Sequence, residues 1–308
     1  MRVGLCLPQL GPAVDRRAVE DFARSAEGLG FASLWVQEHL FSPLRPSSPY
    51  AGIPGQVMPA AYHSTLAPTE LLGAVAAWTG TIRLGTSVLV TGYHHPVELA
   101  QRLATLDVLS QGRLDVGLGA GWSADEHRLC GVDPATRAER MGEFVRALLV
   151  CFGEDPVRFE GRFFSIPEAF VRPKPLQRPH PPLLAGTASR AGLRLATECF
   201  DGWNPVGLEA RTVRERLRAL NASRPAGRAP LSAHLRIFAQ SPLAPGPAPG
   251  LGRVASAVAE AAEAGLDEVI IDGNFLMSLE SPEAWAALPG RLARVLDDLL
   301  MPGPPSAS

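Results

Sequence analysis

Short, almost continuous apolar runs alternate with longer stretches of helical period from one end of the chain to the other. Val3–Pro8, Ala32–Val36, Ile82–Val90, Leu114–Leu118, Leu183–Ala185, Asp201–Asn204, Leu231–Gln240 and Val269–Asp272 read as eight strands. Most are apolar at consecutive positions, which suits a parallel sheet covered by helices rather than an antiparallel sheet wetted on one face. Helical patterns follow them at Val19–Gly28, Thr69–Trp78, Pro96–Leu109, Arg137–Phe152, from about Ser189, and at Glu209–Leu220, Val254–Ala264 and Pro282–Leu300.

Two stretches interrupt the alternation. Leu40–Pro68 is rich in Pro, Ser and Gly and has no period, and a loop that long inside a compact domain is a functional lid or disordered. Val157–Ile166 alternates about a Glu-Gly turn, which predicts a small hairpin ahead of the proline-rich RPKPLQRPHPP connector. The expected organisation is a single domain over 1–300 with an insertion at about 153–182. Ser241–Gly250 is expected to be a flexible loop and 301–308 a disordered tail. Eight strand–helix alternations with no central linker predict a (β/α)8 TIM barrel, with a doubly wound sheet as the competitor. A barrel places its chemistry at the C-terminal ends of its strands. The strand–helix–strand unit Ile82–Glu126 should therefore open Ser87, Val88 and Gly119–Asp125 on one side.

Composition narrows the field further. A chain of 308 residues that is 46% hydrophobic can bury a large core. A net charge of −2 gives no general attraction to nucleic acid or an anionic membrane. No run approaches the ~20 apolar residues of a membrane span, and no signal-peptide pattern precedes the first strand, so a cytoplasmic protein is expected. Cys6, Cys130, Cys151 and Cys199 are far apart, which points to free thiols. Lys174 is the only lysine, so the positive charge is almost all arginine, as in a GC-rich genome.

Several strand ends carry candidate chemistry. Glu38 and His39 close the second strand, where a carboxylate and an imidazole can hold a ligand and move a proton, or simply cap the barrel. His94, His95 and Glu98 match no standard zinc spacing. Gly119-Ala120-Gly121 lets a flat or phosphorylated ligand approach the backbone, but it lacks the full GxGxxG fingerprint of a Rossmann fold. Ser123 or Asp125 can cap the helix that follows. Gly186, Thr187, Ser189 and Arg190 open a helix and suit a phosphate group, with ordinary N-capping as the other reading. Trp203 is either core or ligand wall. No GxSxG elbow, HExxH or P-loop is present.

LGFASLWVQEHLFSP, IRLGTSVLV, HPVELAQRLATLDVLSQGRLDVGLGAGWSADEHRLCGV, the EGRFFSI…VRPKPLQ…PHPPLLAG insertion and ECFDGW occur in that order. With these motifs the chain resembles the bacterial luciferase-like monooxygenase superfamily, nearest its actinobacterial branch of oxidoreductases that use the deazaflavin coenzyme F420. The resemblance implies a barrel holding a deazaflavin or flavin ring at its mouth, on a non-prolyl cis peptide that falls here at Ser87-Val88. It implies His39 as acid or base, in a Glu38-His39 pair where the characterised dehydrogenases have Asp-His. It places the ribityl chain and phosphate at Gly121, Asp125, Gly186 and Thr187. Trp122 stands where some of these dehydrogenases have a catalytic Glu, and Val90 replaces a polar cofactor contact. The implied substrate is neutral, apolar or aromatic, bounded by Trp122, Trp203, Tyr50, Tyr62 and the lid. Two alternatives stand beside the deazaflavin reading: a monooxygenase using reduced FMN and oxygen, and a flavin-binding protein without catalysis. A homodimer is also expected from the resemblance.

Overall fold

A computed structural model describes residues 1–243, 250–276 and 278–296. The predicted tail at 301–308, the end of the predicted closing helix and most of the predicted loop at Ser241–Gly250 lie outside them.

Eight parallel strands close into a barrel. They are β1 (Arg2–Cys6), β2 (Ser33–Val36), β3 (Arg83–Val90), β4 (Leu114–Gly119), β7 (Leu183–Ala185), β8 (Gly202–Trp203), β9 (Ser232–Phe238) and β10 (Glu268–Asp272). Each pairs with the next in sequence around the ring, and β10 closes on β1 through Arg2↔Glu268 to Leu5↔Ile271. The inserted hairpin pairs β5 (Val157–Glu160) with β6 (Ser165–Ala169), antiparallel and outside the barrel. This is the TIM-barrel alternative of the two predicted from the pattern, and a doubly wound sheet is excluded by the closure.

Helices α1 (Arg16–Gly28), α2 (Pro68–Trp78), α3 (Pro96–Leu109), α5 (Arg137–Phe152), α6 (Arg190–Cys199), α7 (Ala210–Ala222), α8 (Leu251–Glu263) and α9 (Pro282–Val295) form the outer layer. Their starts follow ordinary capping chemistry: Asp15 accepts from Ala18 N at 2.7 Å, and Pro68 and Pro96 sit at first-turn positions that need no donor. One face of each helix is apolar and packs on the outward residues of the strands. In α1 that face is Ala18, Val19, Phe22, Ala23 and Ala26, and Phe22 meets Trp285 of α9 edge-on at 6.3 Å. Each large side chain so buried stabilises by about 1.5–3 kcal/mol.

The barrel interior is organised separately. Cys6, Trp35, Leu184 and Ile270 form a small apolar cluster of their own. Toward the strand starts lies a polar group in which Glu268 takes His234 Nδ1 at 2.8 Å, Arg2 at 2.9 Å and the Ser33 hydroxyl. Toward the strand ends lies a second polar group, and that one borders the mouth.

Candidate functional site

Strand β3 ends irregularly. Its pairing with β4 shifts register between Thr86 and Leu89, and the Ser87-Val88 peptide is cis. The Val88 side chain turns toward β4 and β7 and needs neighbours without side chains: a Cβ at Gly119 would stand 2.7 Å from Val88 Cγ2, and one at Gly186 2.3 Å from Cγ1. At Gly117 a Cβ would stand 2.0 Å from the Thr86 carbonyl oxygen, so the bulge itself requires glycine there. Ser87 is tied from both sides. Its hydroxyl donates to Asn204 Oδ1 at 2.7 Å, while its carbonyl accepts from the buried guanidinium of Arg236. Asn204 in turn donates to His234 O at 2.6 Å. Arg236 also pairs with Asp272 and donates to Gln37 Oε1 at 2.7 Å. Burial works against the Arg236 charge, but the charge and hydrogen bond of Asp272, with Cys6 and Tyr62, together outweigh it and raise the guanidinium pKa above its ordinary value.

The acidic and imidazole groups after β2 part company. Both Glu38 oxygens are engaged, Oε2 by Val90 N at 2.7 Å and Oε1 by His94 Nε2 at 2.8 Å. Burial lowers the His94 pKa, but Glu38 and then Glu98 outweigh it and raise it above the usual imidazole value. Glu38 therefore pins the end of β3 beside the site. His39 faces another acid. Its Nδ1 lies 3.2 Å from Oε2 of Glu126, which also accepts from the Tyr93 hydroxyl at 2.9 Å, while Oε1 accepts from Leu40 N at 2.5 Å. Glu126 lies on α4 (Ala124–Leu129), a six-residue helix capped by Ser123. Burial pushes the Glu126 carboxyl up, and the hydrogen bond and charge of His39, with Leu40 and Tyr93, overcome it to hold the group below the usual carboxylate range.

Two cavities meet over Val88. One of about 690 Å³ is walled by Ser87, Val88, Gly119, Gly121, Thr187, Ser189, Asn204 and Arg137. The other, about 490 Å³, is walled by Gln37, His39, Tyr50, Tyr62, Tyr93, Val90, Arg236 and Phe238. Ala51, Ser87, Val88, Gly121, Trp122 and Val206 belong to both. The second is an aromatic chamber: His39 lies edge-on to Tyr62 at 4.5 Å and 5.6 Å from Trp122, and Tyr50 meets Trp122 at 5.3 Å. The first offers hydroxyls, one arginine and the start of α6. A flat ring over Val88 with a polar chain leading to Thr187 would use both.

The loop between β2 and α2 forms part of this roof. It carries short turns at Tyr50–Gly52 and Ala60–His63, and is tied to α4 through Ser47 N to Asp125 Oδ2 at 2.7 Å and Ala124 N to Ser48 Oγ at 3.1 Å. Bulge, glycine floor and carboxylate-backed imidazole are all held on strand ends of a closed parallel barrel. The sequence profile of the luciferase-like monooxygenase family matches residues 1–249.

The chain belongs to the luciferase-like monooxygenase family.

Among relatives of this luciferase-like protein, an uncharacterised protein of Mycobacterium tuberculosis is 36% identical over 187 residues, 59% of this chain and 64% of its own length. The FMNH2-dependent dimethylsulfone monooxygenase of Pseudomonas putida is 31% identical over 163 residues, 52% of this chain and 42% of that protein. The F420-dependent glucose-6-phosphate dehydrogenase of Kineococcus radiotolerans is 34% identical over 162 residues, 51% of this chain and 43% of that one. The chain thus spans less than two thirds of the length of these curated relatives. In fold, the monooxygenase RslO1 of Streptomyces bottropensis superposes with a TM-score of 0.75 at 24% identity, over 97% of this chain and 98% of that one.

Within this luciferase-like barrel most of the sequence-derived candidates converge on the two cavities, and two do not. Asp125 accepts from Ser47 N and lies 3.7 Å from Arg128, so it anchors the loop instead of lining the cavity. Arg190 is exposed and lines a separate groove between α6 and α7. Trp203 lines the larger cavity but is fully buried in the core and donates to Thr187 O at 2.8 Å, bracing the α6 loop. Ser189 is the N-cap of α6, accepting from Gly192 N at 3.1 Å, and still borders the cavity. Sequence reasoning missed Gln37, Tyr93, Glu126, Arg137, Asn204 and Arg236. Only Glu126 had a local signal, an acid in the first turn of a short helix after the strand-end glycines.

Proposed function

We propose that this chain is an oxidoreductase that works with the deazaflavin coenzyme F420, exchanging a hydride with a small neutral or aromatic substrate. The observation that carries the reading is His39, backed by buried Glu126 and facing an aromatic chamber that shares its Val88 wall with the glycine-floored cavity. Hydride delivery leaves negative charge on the acceptor and hydride removal leaves positive charge on the donor, and an imidazole beside the substrate supplies or takes up the matching proton.

The residues fit such a coenzyme. Ser87 and Val88 offer a backbone platform, and Gly119, Gly121 and Gly186 keep the neighbouring floor free of side chains. Thr187, Ser189 and Arg137 would hold a phosphate at the start of α6. Val90 presents an apolar wall. When bound, the deazaflavin supplies or accepts the hydride. With Nδ1 of His39 directed to Glu126, Nε2 is the ring nitrogen left for the substrate proton. Tyr50, Tyr62 and Trp122 limit water around it.

A specific observation favours a second reading. The similarity to the FMNH2-dependent monooxygenase of Pseudomonas putida is close to that of the F420-dependent relative. The same platform and phosphate residues would hold FMN, and the aromatic chamber would then shelter oxygen chemistry from water. Titrating the full chain with F420 and with FMN, read by fluorescence quenching, separates the two. Saturable F420 binding with weaker FMN binding is expected. Tight FMN binding with no response to F420 would overturn the deazaflavin assignment.

A further inference from the structure

Exposed arginines on a helix are commonly neutralised by an acid one turn away, and α1 and α3 follow that rule. On α1, Arg16 and Arg24 pair with Glu20 and Arg17 with Asp21, and on α3 Arg102 pairs with Glu98. The groove between α6 and α7 departs from it. Arg190 and Arg194 of α6 and Arg216 of α7 line this groove, and among the described residues none of the three makes an ion pair or hydrogen bond through its side chain. Glu198 is the one acid among the described lining residues, and it lies beyond ion-pair reach of Arg194 although it stands one turn away.

The groove, about 910 Å³, adjoins the glycine-floored cavity. Ala188 borders both, and they meet where Thr187 and Ser189 open α6. From there Arg190 and Arg194 stand one turn apart, about 6 Å along α6, with Arg216 on the α7 side of the groove. Three guanidiniums against one carboxylate give a local positive field in a chain whose net charge is −2. A planar guanidinium pairs a carboxylate through two parallel hydrogen bonds. The groove thus suits a chain of carboxylates, and it begins where the phosphate residues end.

We propose that this arginine groove binds a carboxylate-bearing extension of the coenzyme beyond its phosphate. The inference rests on the deazaflavin reading and deepens it. Coenzyme F420 continues past its phosphate into a chain of glutamates, whereas FMN ends at the phosphate. The groove therefore gives the deazaflavin a contact that FMN cannot make. Arg190, which stands outside the phosphate cavity, acquires a role as the first cation on that path.

The test uses the full chain and two coenzyme preparations, F420 carrying several glutamates and the same coenzyme with none, titrated by fluorescence quenching at low salt. The glutamylated form should bind about tenfold more tightly, and salt raised to about 1 M should remove most of that gain. Arg190→Gln, Arg194→Gln and Arg216→Gln together should bring the two affinities to within about twofold, while the form without glutamates binds as before. All three side chains are exposed, so the fold should hold, as circular dichroism will check. Arg216→Gln alone, on the helix away from the phosphate residues, should cut the gain to about threefold. The control removes equal charge elsewhere: Arg16→Gln, Arg17→Gln and Arg24→Gln on α1 should keep the whole gain. A wild-type ratio near one, a gain that salt leaves intact, a ratio retained in the groove variant or an equal loss in the α1 variant overturns the proposal and leaves F420 binding in place. Failure of both forms to bind overturns the deazaflavin reading, and this proposal with it.

Discussion

Glu126 and His39 lie 87 residues apart and meet at 3.2 Å, and the properties of each depend on the other. The carboxyl of Glu126 titrates below its ordinary value of 4.5, so folding favours its ionised form. The sign follows: this stability is present above the unfolded value and is lost as pH falls through the lower folded value. Glu126→Gln should lower stability by about 1.5–3 kcal/mol near neutrality, a fall of several degrees in Tm. The gap to wild type should close on acidification below about pH 4.5. Melting curves across pH 3 to 8 measure this, and parallel curves for the two proteins would contradict it. Residue types at strand ends made His39 legible in the sequence. Glu126 was not legible as its partner, because contact across the mouth depends on how α4 folds back against the β2 loop. Gln37 was invisible for a similar reason: its neighbours Arg236, Tyr62 and Gln9 come from three other segments.

At the scale of elements, strand β3 with its glycine neighbours is the part most constrained by shape. The apolar run Ile82–Val90 announced a strand, and the resemblance placed a cis peptide at Ser87-Val88, where the structure has one. Periodicity alone could not place it, since a bulge leaves the apolar pattern intact. Gly186 is the sharpest probe of that shape. A Cβ there would stand 2.3 Å from Val88 Cγ1, so Gly186→Ala must displace the platform. The expected cost is about 1–3 kcal/mol, together with a coenzyme affinity reduced by about tenfold or more. Gly28→Ala is the control: its Cβ meets nothing within 4 Å, and its Tm should stay near wild type. Equal behaviour of the two variants in thermal melts and coenzyme titrations would contradict the account. The long segment Leu40–Pro68 was expected as a lid or disorder, and its lack of period gave no hint of its anchors. Ser47 and Ser48 fasten it to α4, Ser47 N donating to Asp125 and Ser48 Oγ accepting from Ala124 N.

The whole molecule was the most legible level. Eight apolar runs separated by helical periods with no central linker pointed to a barrel over a doubly wound sheet, and the closure of β1 on β10 decides between them. Strand limits moved by a residue or two, and α4 appeared as a separate short helix between Gly121 and the long α5. Among the described residues no helix is long and apolar enough to cross a membrane. Closure gathers the ends of β2, β3, β4, β7 and β9 around one opening, although their residues are scattered over most of the chain. The apolar cluster of Cys6, Trp35, Leu184 and Ile270 packs inside the barrel. Hydride chemistry at that opening depends on whether the imidazole moves a proton. The direct measurement is the single-turnover rate of hydride exchange between F420 and an accepted substrate, in wild type and His39→Ala at matched coenzyme occupancy. Loss of the proton partner should slow the exchange by about 10²–10⁴-fold while coenzyme affinity is kept. Wild-type exchange in His39→Ala would contradict the central claim.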